Sequence, residues 1–358
     1  MIDEDDLRAA VQAGMITEAQ AATLGALAHR RRGARENLAE GDEPFELFRG
    51  FNEIFIVVGL IVLATGWIGL AGVSVTLMSS DPRNSVIFWS MIGAALVWLL
   101  SEYFIRRRRM VAPAIMLSVL WAGNALPGLA VAFANIFELA MKEYSSLTVP
   151  LGVTTAAVAL FWWRFRVPFA TAMIAVGLFV TAMLLAASSS GSPTTLREVF
   201  LLSADGPFAW ITLALGALVF AVAMAFDMSD PHRVTRRAAN GFWLHLVAAP
   251  ALVNTLALTL LERQNHPLLA AMLVVLAAIA IIIDRRSFLI AAIGYTVVLS
   301  GTLFEADGAA VTVFLLGLGL LLLGAFWDRI RALLLAMLPG WLPLEKLPPS
   351  TAVPLKRV

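Results

Sequence analysis

The chain is 358 residues long, 60% hydrophobic and only 14% charged, with a mean hydropathy of +0.83 and a formal net charge of +1. Soluble domains carry about 25% charged residues, and a folded chain of about 300 residues leaves about a quarter of its unfolded surface in water. So much apolar surface needs a bilayer, which excludes a soluble enzyme, a nucleic-acid binder and a disordered chain together. Cysteine is absent, which removes disulfides, thiolate catalysis, iron–sulfur clusters and Cys-type zinc sites. The four histidines, His29, His232, His245 and His266, include no i, i+4 pair for a helix-borne metal site.

Residues 1–41 are expected to form a cytoplasmic helical hairpin. Met1–Asp6 is acidic and no apolar run precedes Phe45, so no signal peptide is expected. Asp3 to Ala13 reads as a short helix with Ile2, Leu7 and Val11 on one face and Gly14 as its stop. Thr17 and Gln20 make a capping box for a second helix running to about Arg32. A hairpin this small needs a surface to dock on. That makes residues 1–40 a candidate site for a protein partner or for self-association, and the basic stretch Arg30–Arg35 a candidate contact for anionic lipid. Asp42-Glu43-Pro44 starts a further helix whose Phe45, Phe48 and Phe55 suit a membrane interface, with Arg49 and Glu53 spaced to pair.

Residues 42–328 hold ten uncharged runs: 54–78, 84–101, 110–137, 145–163, 167–196, 206–226, 238–261, 267–283, 287–304 and 308–327. About 20 residues cross a bilayer as a helix, so 267–283 is marginal. None alternates with the period of a barrel strand. With the N-terminus inside, 22 of the 26 Lys and Arg fall on the cytoplasmic side. Only Arg83, Lys142, Arg197 and Arg263 fall outside. A split that alternates loop by loop predicts ten spans with both ends in the cytoplasm. Arg106, Arg107, Arg108, Arg109, Arg236 and Arg237 are the expected lipid and topology contacts. The inward-running helices end in aromatic residues, Arg and an acid (Trp98 to Arg106, Phe161 to Arg164, Phe226-Asp227, Asp284-Arg285-Arg286, Phe326 to Arg329). These read as headgroup-level rings, arginines snorkelling to phosphates and local ion pairs. Residues 329–358 are expected to be an interfacial helix followed by an extended, Pro-rich cytoplasmic tail.

Polar groups inside apolar helices are costly and therefore candidate functional groups. The third run carries Gly123-Asn124, Pro127 and Gly128, either a broken helix with free carbonyls or a repaired proline kink. The seventh carries His245, Pro250 and Asn254. His245 suits a proton relay or a neutral imidazole bonded to a backbone carbonyl. Asn124, Pro127, His245 and Asn254 are the expected lining of a substrate path. Ala217, Ala221 and Ala225, and Gly66, Gly69 and Gly72, are spaced for close helix packing. Neither a phosphate-cradling loop nor a G-x-S-x-G elbow is present, and no catalytic, metal or cofactor site is expected.

The pattern Leu7, Val11, Gly14-Met15-Ile16-Thr17, Gln20 and Leu24 ahead of a many-span bundle resembles a family of bacterial predicted membrane proteins of unknown function, whose members start with a similar helical pair. The ten-span layout also resembles the drug/metabolite transporter superfamily, in topology alone, since spans one to five and six to ten are not visibly repeated. The expectation is an all-α, polytopic bacterial inner-membrane protein without enzymatic activity or nucleic-acid partner. Its functional reading is a small-solute transporter or permease-like protein. The alternatives are an envelope-complex scaffold that binds a partner through the hairpin, and a membrane enzyme acting on a lipid-linked substrate.

Overall fold

The structure is a computed structural model that describes residues 4–17, 20, 21, 24, 51–134, 144–191, 196–204, 206–233, 235–285, 306–339 and 342–348. The chain divides into two compact units, Met1–Leu47 and Phe48–Val358.

In the first unit, helix α1 (Glu4–Gln12) stops at Gly14, whose φ of +70° only glycine adopts cheaply. The Gly14 N–H donates to the Val11 carbonyl and the Met15 N–H to the Ala10 carbonyl, both at 3.0 Å. The capping box forms reciprocally: the Gln20 N–H donates to Thr17 Oγ1 at 3.2 Å and the Thr17 N–H to Gln20 Oε1 at 2.9 Å. The basic stretch Arg30–Arg35, Arg49 and the interfacial helix expected after Asp42 lie outside the described residues.

The second unit is all-helical among the described residues. Its helices are α2 (Phe51–Val73), α3 (Pro82–Ser101), α4 (Ala112–Phe133), α5 (Thr148–Phe165) and α6 (Phe169–Ser190). After the short α7 (Leu196–Phe200) come α8 (Phe208–Met228), α9 (Arg236–Glu262), α10 (His266–Ile282) and α11 (Ala306–Met337). Helices α2 and α3 run on into π-helical turns, Ser74–Met78 and Glu102–Arg107. Among the described residues six helices are long and apolar enough to cross a membrane: Phe51–Leu77, Pro82–Arg107, Ala112–Phe133, Phe169–Ser190, Phe208–Met228 and Arg236–Glu262. The chain is thus a membrane-embedded helical protein. Helix α10 is a shorter apolar helix of 17 residues, and the run expected at 287–304 lies outside the described residues.

The helices start where capping chemistry allows. Asp81 accepts the Asn84 N–H ahead of Pro82, Thr235 accepts the Arg237 N–H, and Asn265 accepts the Leu268 N–H ahead of Pro267. Helix α4 is capped in trans. The buried Glu53 carboxylate of α2 accepts the N–H groups of Val111 and Ala112 at 3.2 and 3.1 Å, so this edge-of-membrane acid serves a helix terminus.

Helix α9 is the most enclosed, with half of its apolar stretch buried against 6% for α2. It is 27 residues, about 40 Å at 1.5 Å per residue, and its two ends mark the two ends of the bundle. At its start Arg236 Nη1 reaches the Arg166 carbonyl at 3.5 Å, and Glu102 pairs with Arg164 at 2.6 Å and Arg106 at 3.2 Å. At its finish Thr259 Oγ1 accepts the Leu202 N–H at 3.1 Å, and Ser203 bonds Glu262.

Several sequence expectations change in three dimensions. Trp98, Phe161 and Phe165 pack inward rather than standing free at a helix end; with Trp121 they form an aromatic cluster, ring centroids 4.6 to 6.5 Å apart. Trp163 and Tyr103 remain exposed. The face that α8 turns inward is Thr212, Gly216, Ala223 and Asp227, whereas Ala217, Ala221 and Ala225 are exposed. Gly216 makes the close approach, since a Cβ there would lie 2.9 Å from that of Ala251 on α9. Gly66, Gly69 and Gly72 have no described neighbour within 4 Å of where a Cβ would sit. The tail is not simply extended: Leu344–Lys346 is a 3₁₀ turn, and the carbonyl of buried Pro348 accepts from Arg331 Nη2 at 2.5 Å.

Candidate functional site

Among the described residues, two constellations of polar groups lie within the apolar helices or at their ends. The first is a buried charge cluster where α8 ends, α9 begins and α10 gives way to the segment after it. Asp227, in the last turn of α8, has no cation within helical reach on its own helix. It receives one from elsewhere: Arg285 donates through Nη2 to Oδ1 at 2.5 Å and through Nε to Oδ2 at 2.9 Å, a bidentate pair. His245 of α9 meets the same Oδ2 through Nε2 at 2.9 Å. Arg285 Nη2 also satisfies the Ala238 carbonyl at 2.9 Å. The three side chains are 6%, 1% and 0% exposed in the order Asp227, Arg285, His245. Gly241 makes the room, because a Cβ there would collide with Asp227 Oδ1 and approach Arg285 Nη2.

A second pair crosses the first. Arg233 donates through Nη1 to Asp284 Oδ2 at 2.9 Å and through Nη2 to the Asp284 carbonyl at 2.6 Å. Trp327 of α11 donates through Nε1 to Asp284 Oδ1 at 2.7 Å. Arg233 and Asp284 both hold left-handed backbone, φ +53° and +56°, which costs about 1–2 kcal/mol per residue. The two residues bond each other. Two crossed acid–Arg pairs therefore tie α8, α9, α10 and α11 together, and each pair is neutral as a unit.

The cluster revises two expectations. His245 bonds a carboxylate rather than a backbone carbonyl. Arg233 and Arg285 point into the protein rather than snorkelling, with 3% and 1% exposure. The sequence signal that marks this site is a lone acid at a helix end, with no local cation, opposite a glycine in the next helix. Arg106, Arg107, Arg108 and Arg109, by contrast, stay exposed on the π turn after α3 and just beyond it. Arg108 lies over Tyr103 at 5.7 Å and bonds its hydroxyl at 3.2 Å. Arg236 and Arg237 are exposed at the start of α9. No group of three or more metal-donor side chains occurs among the described residues.

The second constellation is a cavity of about 300 Å³ between α2, α3 and α4. Asn124 and Pro127 line it, together with Trp67, Trp89, Ser90 and Gly123. Pro127 leaves α4 continuous, and Asn124 bonds across the bundle, Nδ2 donating to the Ser90 carbonyl of α3 at 2.5 Å. Two glycines let these helices close. A Cβ at Gly93 would strike the Asn124 amide, and one at Gly128 would lie 2.6 Å from Ser90 Cβ. Of the four residues expected on one path, Asn124 and Pro127 share this cavity. His245 belongs to the charge cluster, and half-buried Asn254 lies two to three turns further along α9.

Comparison with protein-family models, with curated proteins and with solved structures finds no match.

Proposed function

We propose that the chain is a small-solute transporter or permease-like protein of a bacterial inner membrane, with ten spans and both termini in the cytoplasm. The cavity between α2, α3 and α4 carries this reading, because it combines a polar amide, a mid-helix proline and two indoles inside apolar helices. The orientation rests on the lopsided arginines. The bonds that gather Arg106, Arg164, Arg166 and Arg236 at one end of the bundle support it. The test compares solute profiles inside and outside cells that lack the protein, carry it, or carry an Asn124→Leu variant that still inserts. At least one small solute is expected to redistribute with the wild-type chain and not with the variant. Identical profiles in all three strains would refute the proposal.

A scaffold role is the second reading, favoured by the separate compact unit Met1–Leu47. Under it, deleting residues 1–40 abolishes a co-purifying complex and leaves the bundle folded; an unchanged complex counts against it.

A further inference from the structure

The lining of the α2–α3–α4 cavity has a chemistry that selects among solutes. We infer that its ligand is a small, uncharged, flat aromatic molecule that enters from the lipid side. This deepens the transporter reading and rests on it for the ligand's fate, though not for its binding.

Among the described residues no charged side chain lines the cavity. A charged solute would leave water for an apolar recess with no described partner to compensate it. The polar groups present are few, and two are committed: Asn124 Nδ2 donates to the Ser90 carbonyl, and Thr76 Oγ1 to the Gly72 carbonyl at 2.8 Å. A sugar or other polyol would bury hydroxyls that find too few partners. What the cavity does present is an aromatic corner. The Trp67 and Trp89 rings meet edge to face, centroids 5.0 Å apart at 71°. A flat ring completes such a corner through the offset and T-shaped contacts that aromatic quadrupoles favour, whereas a flexible acyl chain gains nothing from its angle. The volume of about 300 Å³ is at the small end of ligand pockets. The access route follows from α2, whose cavity-lining Ile68 is 71% exposed. A neutral aromatic dissolves in the bilayer and arrives by that face.

The geometry supplies clean variants. Gly72 and Gly123 line the cavity, and a Cβ at either meets nothing within 4 Å, so Gly72→Leu and Gly123→Leu add bulk there with no clash at the Cβ. Gly69 is equally open but does not line it, so Gly69→Leu is the control. The full chain in phosphatidylcholine nanodiscs is titrated with tritiated indole, with empty nanodiscs as the partition blank, and competed with unlabelled indole or the anion indole-3-acetate. Saturable indole binding is expected, displaced by indole and not by indole-3-acetate. It should weaken at least tenfold in Gly72→Leu and Gly123→Leu and stay unchanged in Gly69→Leu. Binding no greater than the blank, equal binding in the filled variants, or equal displacement by the anion would each overturn the inference. So would a spin-labelled phosphatidylcholine whose immobilised fraction falls in Gly72→Leu while indole binding does not, since the occupant is then a lipid chain. Because no flux is measured, indole binding stands or falls independently of whether any solute redistributes in cells.

Discussion

The crossed ion pairs at the end of α8 and α9 make a quantitative prediction about what holds the bundle closed. Replacing Arg285 by Ala leaves the Asp227 carboxylate, only 6% exposed, with His245 as its remaining described donor, and strips the Ala238 carbonyl of its guanidinium partner. Breaking one side of a buried pair costs about 3–5 kcal/mol, most of it the penalty of the charge left behind. Arg285→Lys keeps the charge but loses the bidentate geometry and should fall between Ala and wild type. The decisive variant removes both charges of this pair at once: Asp227→Leu, His245→Leu and Arg285→Met together exchange its members for apolar side chains of similar size. Such exchanges are often neutral or stabilising, so the triple variant should lie within about 1–2 kcal/mol of wild type. The ten tryptophans give a fluorescence signal for reversible unfolding in mixed micelles. If Arg285→Ala unfolds within about 1 kcal/mol of wild type, the pair is not desolvated as described. If the triple variant is as unstable as Arg285→Ala, packing volume rather than uncompensated charge sets the cost.

Three further outcomes follow from the same geometry. Gly241→Ala drives a methyl into the Asp227–Arg285 pair and should cost about 1–3 kcal/mol in the same assay; a neutral effect would mean the carboxylate sits elsewhere. Glu53→Ala frees the N–H groups of Val111 and Ala112 and should cost about 1–3 kcal/mol, with Glu53→Gln, which keeps one acceptor, costing less. Single cysteines in this cysteine-free chain should react with an impermeant maleimide in intact cells when placed at Arg83 or Arg263, and only after permeabilisation when placed at Arg107 or Arg236. Reaction of Arg107→Cys or Arg236→Cys in intact cells would overturn the proposed orientation.

The spans were legible because their signal is compositional. Runs 84–101, 110–137 and 206–226 became α3, α4 and α8 with ends shifted by a few residues, and caps at Asp81 and Asn265 explain where α3 and α10 begin. The capping box at Thr17 and Gln20 was legible for the same reason: both partners lie within one turn, so spacing alone determines the bonds. Which face of a helix turns inward was not legible. Ala217, Ala221 and Ala225 are as small as the residues that pack, and only the neighbour decides that Gly216 and Ala223 are used instead. Lipid is as apolar as a helix face, so hydropathy carries no inward direction in a bilayer.

The candidate sites divide along the same line. Asn124 announced itself as an amide in an apolar run beside a proline, and it does reach across to α3. The charge cluster was misread because its members sit at helix ends, where charges ordinarily face headgroups and water. Asp227, Asp284 and Arg285 each looked satisfied by position, and the two Arg–Asp pairs join residues 51 and 58 apart in sequence. The physical discriminator is the cost of a lone buried carboxylate. Asp227 has no cation at i±3 or i±4, and it ends a helix whose inward face is Thr212, Gly216 and Ala223. An acid in that register has to recruit a cation from another helix, and the helix facing it must thin to a glycine to admit both groups. Gly241, set one turn before His245, is that thinning. The pairing of an isolated acid with a glycine across a helical hairpin is therefore the signature by which such ties can be sought in other helical membrane sequences.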